Sequence, residues 1–169
     1  AAVFKELEDP NQKFYAVGEI GIDLYWDKTF IEEQLKAFGI QIKKAKEMGL
    51  PIVIHCREAF DEVFEVLEAY HDDKLFGIFH CFTGNLDQAQ IAINLNMKLG
   101  IGGVVTFKNS GLDKVVEQID LKHLVLETDA PYLAPKPYRG KKNEPSYVKY
   151  VAEKIAVVKN LPLEEVDRI

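Results

Sequence analysis

Five short apolar runs divide the chain: FYAVGEIGI (14–22), PIVIH (51–55), LFGIFHC (75–81), KLGIGGV (98–104) and HLVLETD (123–129). They are nearly continuous in apolar character rather than alternating, the pattern of strands in a parallel sheet covered on both faces. Longer amphipathic stretches separate them, so strands and helical crossovers are predicted to follow one another. From Thr29 to Met48 the apolar residues Ile31, Leu35, Phe38, Ile42 and Ala45 recur at the spacing of one helical face, and Gly49 followed by Pro51 ends the helix. Weaker helical patterns cover 58–70, 86–96 and 110–119. Asn143-Glu144-Pro145 predicts a cap and a first-turn proline for a helix reaching Lys159, and a further start lies at 162–166. Five strand-helix units fit either a doubly wound open sheet or part of an eight-fold (β/α) barrel.

The polar residues on those runs separate the two. Glu19, His55, His80 and Asp129 stand at or near the C-terminal ends of four of the five runs. A single strand-end His is more often a hydrogen-bonded structural residue, an Asp before Ala-Pro serves equally as a turn cap, and Glu19 alone has many lysines to pair with. Four such groups at the same end of apolar strands need a shared partner, because a buried ionised carboxylate costs several kcal/mol unless compensated, and a divalent cation is the simplest. An open sheet draws its site from two or three strands, whereas a barrel gathers it from many, so the expectation is a partial TIM-type barrel of about five parallel strands. Alternation puts Glu127 on the face of Asp129, and Asp23 on that of Glu19 and Gly21. It turns Cys56 and Cys81 toward the helices if His55 and His80 face the centre.

Composition adds limits. At 169 residues, 47% hydrophobic and 28% charged, the chain reads as one globular domain over 1–169. No signal peptide pattern opens it and no apolar stretch approaches the ~20 residues of a spanning helix, so a soluble, cytoplasmic protein without a membrane partner is expected. Two cysteines fit a reducing compartment. The net charge of -6 argues against broad capture of nucleic acid, so a polyanion needs local cations. Arg57, two residues after His55, and the loop 136–142, with Lys136, Arg139, Lys141 and Lys142, are the candidates. A solvated basic loop paired with Glu144 is the bland reading of the second. Tyr25 and Trp26 either stack on a base or pack at the barrel mouth.

Taken together, GEIGID, PIVIHCRE, FHCFTG and ETDAPYLAPKPYRGKKNEP, in that order, resemble the successive signature segments of the TatD family of metal-dependent deoxyribonucleases, relatives of the amidohydrolase-like barrels. The resemblance implies metal-dependent hydrolysis of phosphodiesters, typically removal of nucleotides from single-stranded DNA ends, with magnesium or manganese. By motif, Glu19 would bridge two metals, His55 and His80 would complete the second site, and Asp129 would serve the first and orient or deprotonate water, with Glu127 as supporting carboxylate. Two imidazoles also tolerate zinc. The family opens with a His-x-His segment that is missing here, so a fragment is expected, starting near the family's third strand, clipped near Ile169 too, and of doubtful activity. Three rivals stand beside this reading. One is an amide or ester hydrolase of the same barrel class, one an inactive metal-binding fragment with an exposed sheet edge, and one a flavodoxin-like binding module. The sequence leaves the oligomeric state open.

Overall fold

The computed structural model describes residues 2–168; the expected chain ends at Ala1 and Ile169 lie outside them. The elements run α1 (Ala2–Leu7), β1 (Val17–Asp23), α2 (Ile31–Met48), β2 (Ile52–Arg57), α3 (Phe60–Tyr70), β3 (Gly77–Phe79), α4 (Leu86–Asn94), β4 (Met97–Ile101), α5 (Leu112–Gln118), β5 (Leu124–Leu126), α6 (Val148–Lys159) and α7 (Leu163–Val166). Each of the five apolar runs overlaps a strand, and the predicted helices form within a few residues of their expected bounds. The sequence reading did not anticipate α1 or the 3₁₀ turns Gly103–Thr106 and Leu121–His123, which are too short to carry a period.

All strand pairs are parallel, and the sheet order is β1-β2-β3-β4-β5, the order of the chain itself. A flavodoxin-like sheet reverses its order at a switch point, so that rival is excluded. When every crossover steps in one direction with one hand, all helices fall on one face, as in a (β/α) barrel. The core sits between that face and the helices. Ile20, Ile22, Ile52, Ile54, Phe79, Leu99 and Leu124 meet Phe38 and Ile42 of α2, Val63 and Leu67 of α3, and Ile155 of α6, all buried. Rings of Phe60, Phe64, Phe79 and Phe82 pack together with centroids 5.6 to 6.2 Å apart under the C-terminal end of β3.

The expectation of strands covered on both faces is corrected here. On the side away from the helices Val53, Ile78 and Val125 are only half-buried, and Glu19 and Lys98 are exposed. Apolar residues on that side read the same whether helices or the opposite wall of a barrel cover them, which is why the runs looked doubly buried. Among the described residues no helix is long and apolar enough to cross a membrane.

Candidate functional site

Glu19 reaches the open face through an irregularity of pairing. Gly18 pairs with Val53 and Ile20 with Ile54, so Glu19 is the extra residue of a bulge in β1. A bulge re-aims a side chain. Ile20 returns to the core while Glu19 stays exposed toward the concave side. Gly21, with φ 140°, lets β1 close on β2: a Cβ there would stand 2.0 Å from the His55 carbonyl oxygen. His55 follows buried Ile54 in β2, and His80 follows β3 directly, its amide donating to the Ile54 carbonyl at 2.9 Å. Asp129 lies beyond β5 in a left-handed turn, φ 53°, whose carbonyl accepts from the Tyr132 amide at 2.8 Å.

These groups converge. Oε1 of Glu19 is 3.6 Å from Nδ1 of His55 and 3.3 Å from Nε2 of His80, and Oδ1 of Asp129 is 3.3 Å from that same Nε2. Behind each imidazole stands a second carboxylate. Asp23 Oδ2 holds Nε2 of His55 at 2.9 Å, and Glu127 Oε2 holds Nδ1 of His80 at 2.9 Å. Glu127 also accepts the Cys81 amide through Oε1 at 2.6 Å. Gly100 makes room for it, since a Cβ there would lie 2.7 Å from Glu127 Oε2. Each outer carboxylate fixes its ring's orientation and proton, leaving the other nitrogen toward Glu19.

Electrostatics follow this arrangement. The hydrogen bond that Glu127 accepts raises the His80 pKa to about 9 against the opposing effect of burial, with help from the charges of Glu127, Glu19 and Asp129. Burial pulls the Asp23 carboxyl upward, but the Tyr25 amide, His55 and Arg57 together hold it below its ordinary value. Burial lifts both Cys56 and Cys81 to about 12.

The donor set fits a divalent cation. Ligand atoms bound at about 2.1 Å to one tetrahedral ion stand about 3.4 Å apart, and the observed separations of 3.3 to 3.6 Å bracket that value. The donors meet in pairs that share Glu19 or His80; among the described residues no three His, Cys, Asp or Glu side chains are gathered closely enough to hold an ion together.

The surrounding cleft, about 540 Å³, is lined by Glu19, His55, Arg57, His80, Thr83, Asp129, Tyr132 and Leu133, and also by both cysteines. Arg57 therefore stands where the sequence put it. Arg139 does not line the cleft; its guanidinium lies over Phe107, 4.0 Å from the ring centroid. Among the described residues no ion pair joins the basic loop to Glu144. Cys81 departs from the alternation argument because it lies past the end of β3 with φ 46°, where strand geometry no longer applies.

Sequence reasoning misread Asn143. Rather than capping a helix, it is buried and its amide donates to the carbonyls of Thr128 and Tyr132, while its own backbone N–H donates to Pro131 at 3.0 Å. It clasps the basic loop's end onto the Asp129 turn. The only local signal was a polar residue two before a proline, which reads equally as a cap.

The sequence and fold have counterparts among known proteins. The model of the family described as TatD related DNase matches residues 2–169. The "Uncharacterized metal-dependent hydrolase YabD" of Bacillus subtilis is 46% identical over 169 residues, covering 99% of this chain and 66% of that protein. The "3'-5' ssDNA/RNA exonuclease TatD" of Salmonella typhimurium is 35% identical over 148 residues, 84% of this chain and 57% of that protein. The chain thus spans less than two thirds of either relative. Among solved structures, the TatD homolog YJJV of Escherichia coli superposes with a TM-score of 0.90 at 32% identity, over 97% of this chain and 63% of that one. A TatD family hydrolase of Entamoeba histolytica, at 24% identity and a TM-score of 0.82, shares the fold over 99% of this chain and 64% of its own. With the match running through the whole segment that holds Glu19, His55, His80 and Asp129, the chain belongs to the TatD related DNase family.

Proposed function

We propose that this chain carries the catalytic residues of a metal-dependent hydrolase that cleaves phosphodiester bonds of nucleic acid, acting on single-stranded ends. The observation that carries the reading is the convergence of Glu19, His55, His80 and Asp129 in one cleft whose rim holds Arg57. Glu19, His55 and His80 would hold one divalent cation, and Glu19 with Asp129 would contribute to a second. When bound, such ions supply Lewis acidity toward a phosphoryl oxygen and a lowered pKa for water. The carboxylates suit magnesium or manganese, while the two imidazoles also suit zinc.

The chain's own residues divide the remaining work. Asp129 orients the attacking water and takes its proton. Glu127 acts from behind, keeping Nε2 of His80 toward the centre; Asp23 does the same for His55. Arg57 offers its N–H edge to a phosphate oxygen pair, and Arg139 with the three loop lysines draws the strand in. Support for a nucleic acid substrate comes from these cations on a chain of net charge -6, and from the Salmonella relative's name. Two unpaired cysteines accord with a cytoplasmic setting, and 1–169 is read as one partial barrel domain.

The test is an end-labelled single-stranded oligonucleotide incubated with this chain and Mn²⁺ or Mg²⁺, beside duplex DNA, RNA and an aryl ester. Stepwise loss of terminal nucleotides, abolished by His80→Ala, is expected. Cleavage of the ester with none of any phosphodiester would overturn the substrate assignment.

A further inference from the structure

The chain's only tryptophan, Trp26, is 81% exposed, and it does not belong to the core as one sequence reading allowed. Its setting is fixed all the same. The preceding Leu24 is buried and its amide donates to the Arg57 carbonyl at 3.0 Å. Asp23 Oδ1 accepts the Tyr25 amide at 2.9 Å, and Gln34 of α2 accepts from the Asp23 amide at 2.9 Å and donates back to its carbonyl at 3.2 Å. Tyr25 meets Trp26 edge to face with centroids 4.6 Å apart. A large apolar ring is thus held out in water on an anchored turn, immediately after the strand that carries Glu19.

Arg57 joins this turn to the cleft. Its guanidinium lies 3.7 Å from the Tyr25 centroid and 5.8 Å from that of Trp26, while the same residue lines the cleft with Glu19 and His55. A guanidinium stacked by its face keeps its N–H edge available, and Arg57 makes no side-chain hydrogen bond or ion pair with another described residue. The same Asp23 that orients His55 through Oδ2 fixes Tyr25 through Oδ1, so metal-ligand candidate and aromatic turn are set by one carboxylate.

We propose that Trp26, Tyr25 and Arg57 form a stacking platform for a nucleobase of a single-stranded nucleic acid, namely the base flanking the phosphate held at the Glu19–His55 side of the cleft. This rests on the nucleic acid reading above and deepens it. A planar aromatic face accepts any base, so the platform selects unpaired strands over duplexes, whose bases are already stacked, without reading sequence. Arg57 serves both halves of one nucleotide, its edge toward phosphate and its face continuous with the aromatic surface.

Because Trp26 is the sole tryptophan, its fluorescence reports the platform directly. The chain is titrated in EDTA, so that no cleavage intervenes, with oligothymidylate and with an abasic oligonucleotide of equal length and charge, while dye-label anisotropy follows binding independently. Saturable quenching by the base-bearing strand and little by the abasic one is expected. Trp26→Ala should weaken anisotropy-detected binding roughly tenfold and Trp26→Phe much less, in line with a base-aromatic stack. Equal quenching by both strands, or binding without quenching and without loss in Trp26→Ala, overturns the platform while leaving the nuclease reading intact. Absence of any anisotropy change in the unaltered chain overturns the platform and leaves the metal-dependent nuclease reading to the cleavage assay, and quenching without cleavage when Mn²⁺ is restored supports the platform and removes only the nuclease.

Discussion

Replacing Glu127 by Gln tests how the site is held in the metal-free protein. The side chain keeps its size and can still meet His80 or the Cys81 amide, but it loses the carboxylate whose hydrogen bond first, and charge second, raise the His80 pKa from 6.5 to about 9. A group that binds its proton more tightly when folded favours folding wherever that proton is bound. The contribution is therefore whole below about pH 6.5, declines as pH rises, and is gone above about 9. Unscreened, that difference corresponds to roughly 3 kcal/mol. With 22% of the His80 side chain and 19% of the Glu127 side chain still exposed, solvent reduces it to on the order of 1–2 kcal/mol. For a chain of this length the loss lowers Tm by roughly 2–8 °C. Thermal unfolding in EDTA of the unaltered and Glu127→Gln proteins should show this gap near pH 6.5 and almost none above pH 9. A gap of equal size at both ends would mean that Glu127 acts by packing and neutral hydrogen bonding alone, and no gap at either would refute the pairing.

Other parts of the structure give separate expectations. Gly21→Ala should destabilise the fold by more than about 3 kcal/mol in chemical denaturation, because its Cβ meets backbone and its φ of 140° is closed to other residues, and recovery of normal stability would disprove the close β1–β2 approach. Asn143→Leu strips two carbonyls of a buried donor and should cost about 2–3 kcal/mol, with limited proteolysis of the 136–142 loop accelerated in step. Arg57→Ala and Arg139→Ala should each reduce the slope of log binding constant against log salt for single strands by about 1, and an unchanged slope removes that residue from the phosphate contacts. With both thiols pushed to about 12, Cys56 and Cys81 should react with iodoacetamide far more slowly in the folded protein than after denaturation, and equal rates would contradict their burial.

How far the sequence could be read depended on whether the information was local. PIVIH and HLVLETD announce strands through their own residues, and Ile31 to Ala45 announce α2 through their spacing. The bulge at Glu19 has no such signature, because it exists only in the pairing of β1 with β2. Alternation correctly associated Glu127 with Asp129 but for a reason that fails in detail. β5 ends at Leu126, and the two acids reach opposite nitrogens of the same His80 ring rather than a common point. Asp23 could be recognised only as a candidate supporting residue, since its partner His55 lies on another strand. Arg57 was placed correctly because β2 continues through it, which preserves the two-residue period.

The site also decides how the sheet is shaped. Neighbouring strands lie about 4.8 Å apart, so β1 and β5, four steps from one another, would be roughly 19 Å apart in a flat sheet with side chains standing perpendicular to it. Yet Glu19 from β1 and Asp129 from beyond β5 each bring an oxygen within 3.3 Å of one nitrogen on His80, which follows the central strand. Those oxygens are then no more than twice 3.3 Å apart. Only a strongly curled sheet, concave toward the open face, allows this, and curling in that sense is what barrel strands do. The bulge at one edge and the left-handed turn at the other complete the approach, aiming Glu19 and Asp129 inward from the two ends of the arc. Curvature, rather than any single strand, brings these carboxylates together; a substitution that flattens the sheet would separate them while leaving each strand's own sequence pattern intact.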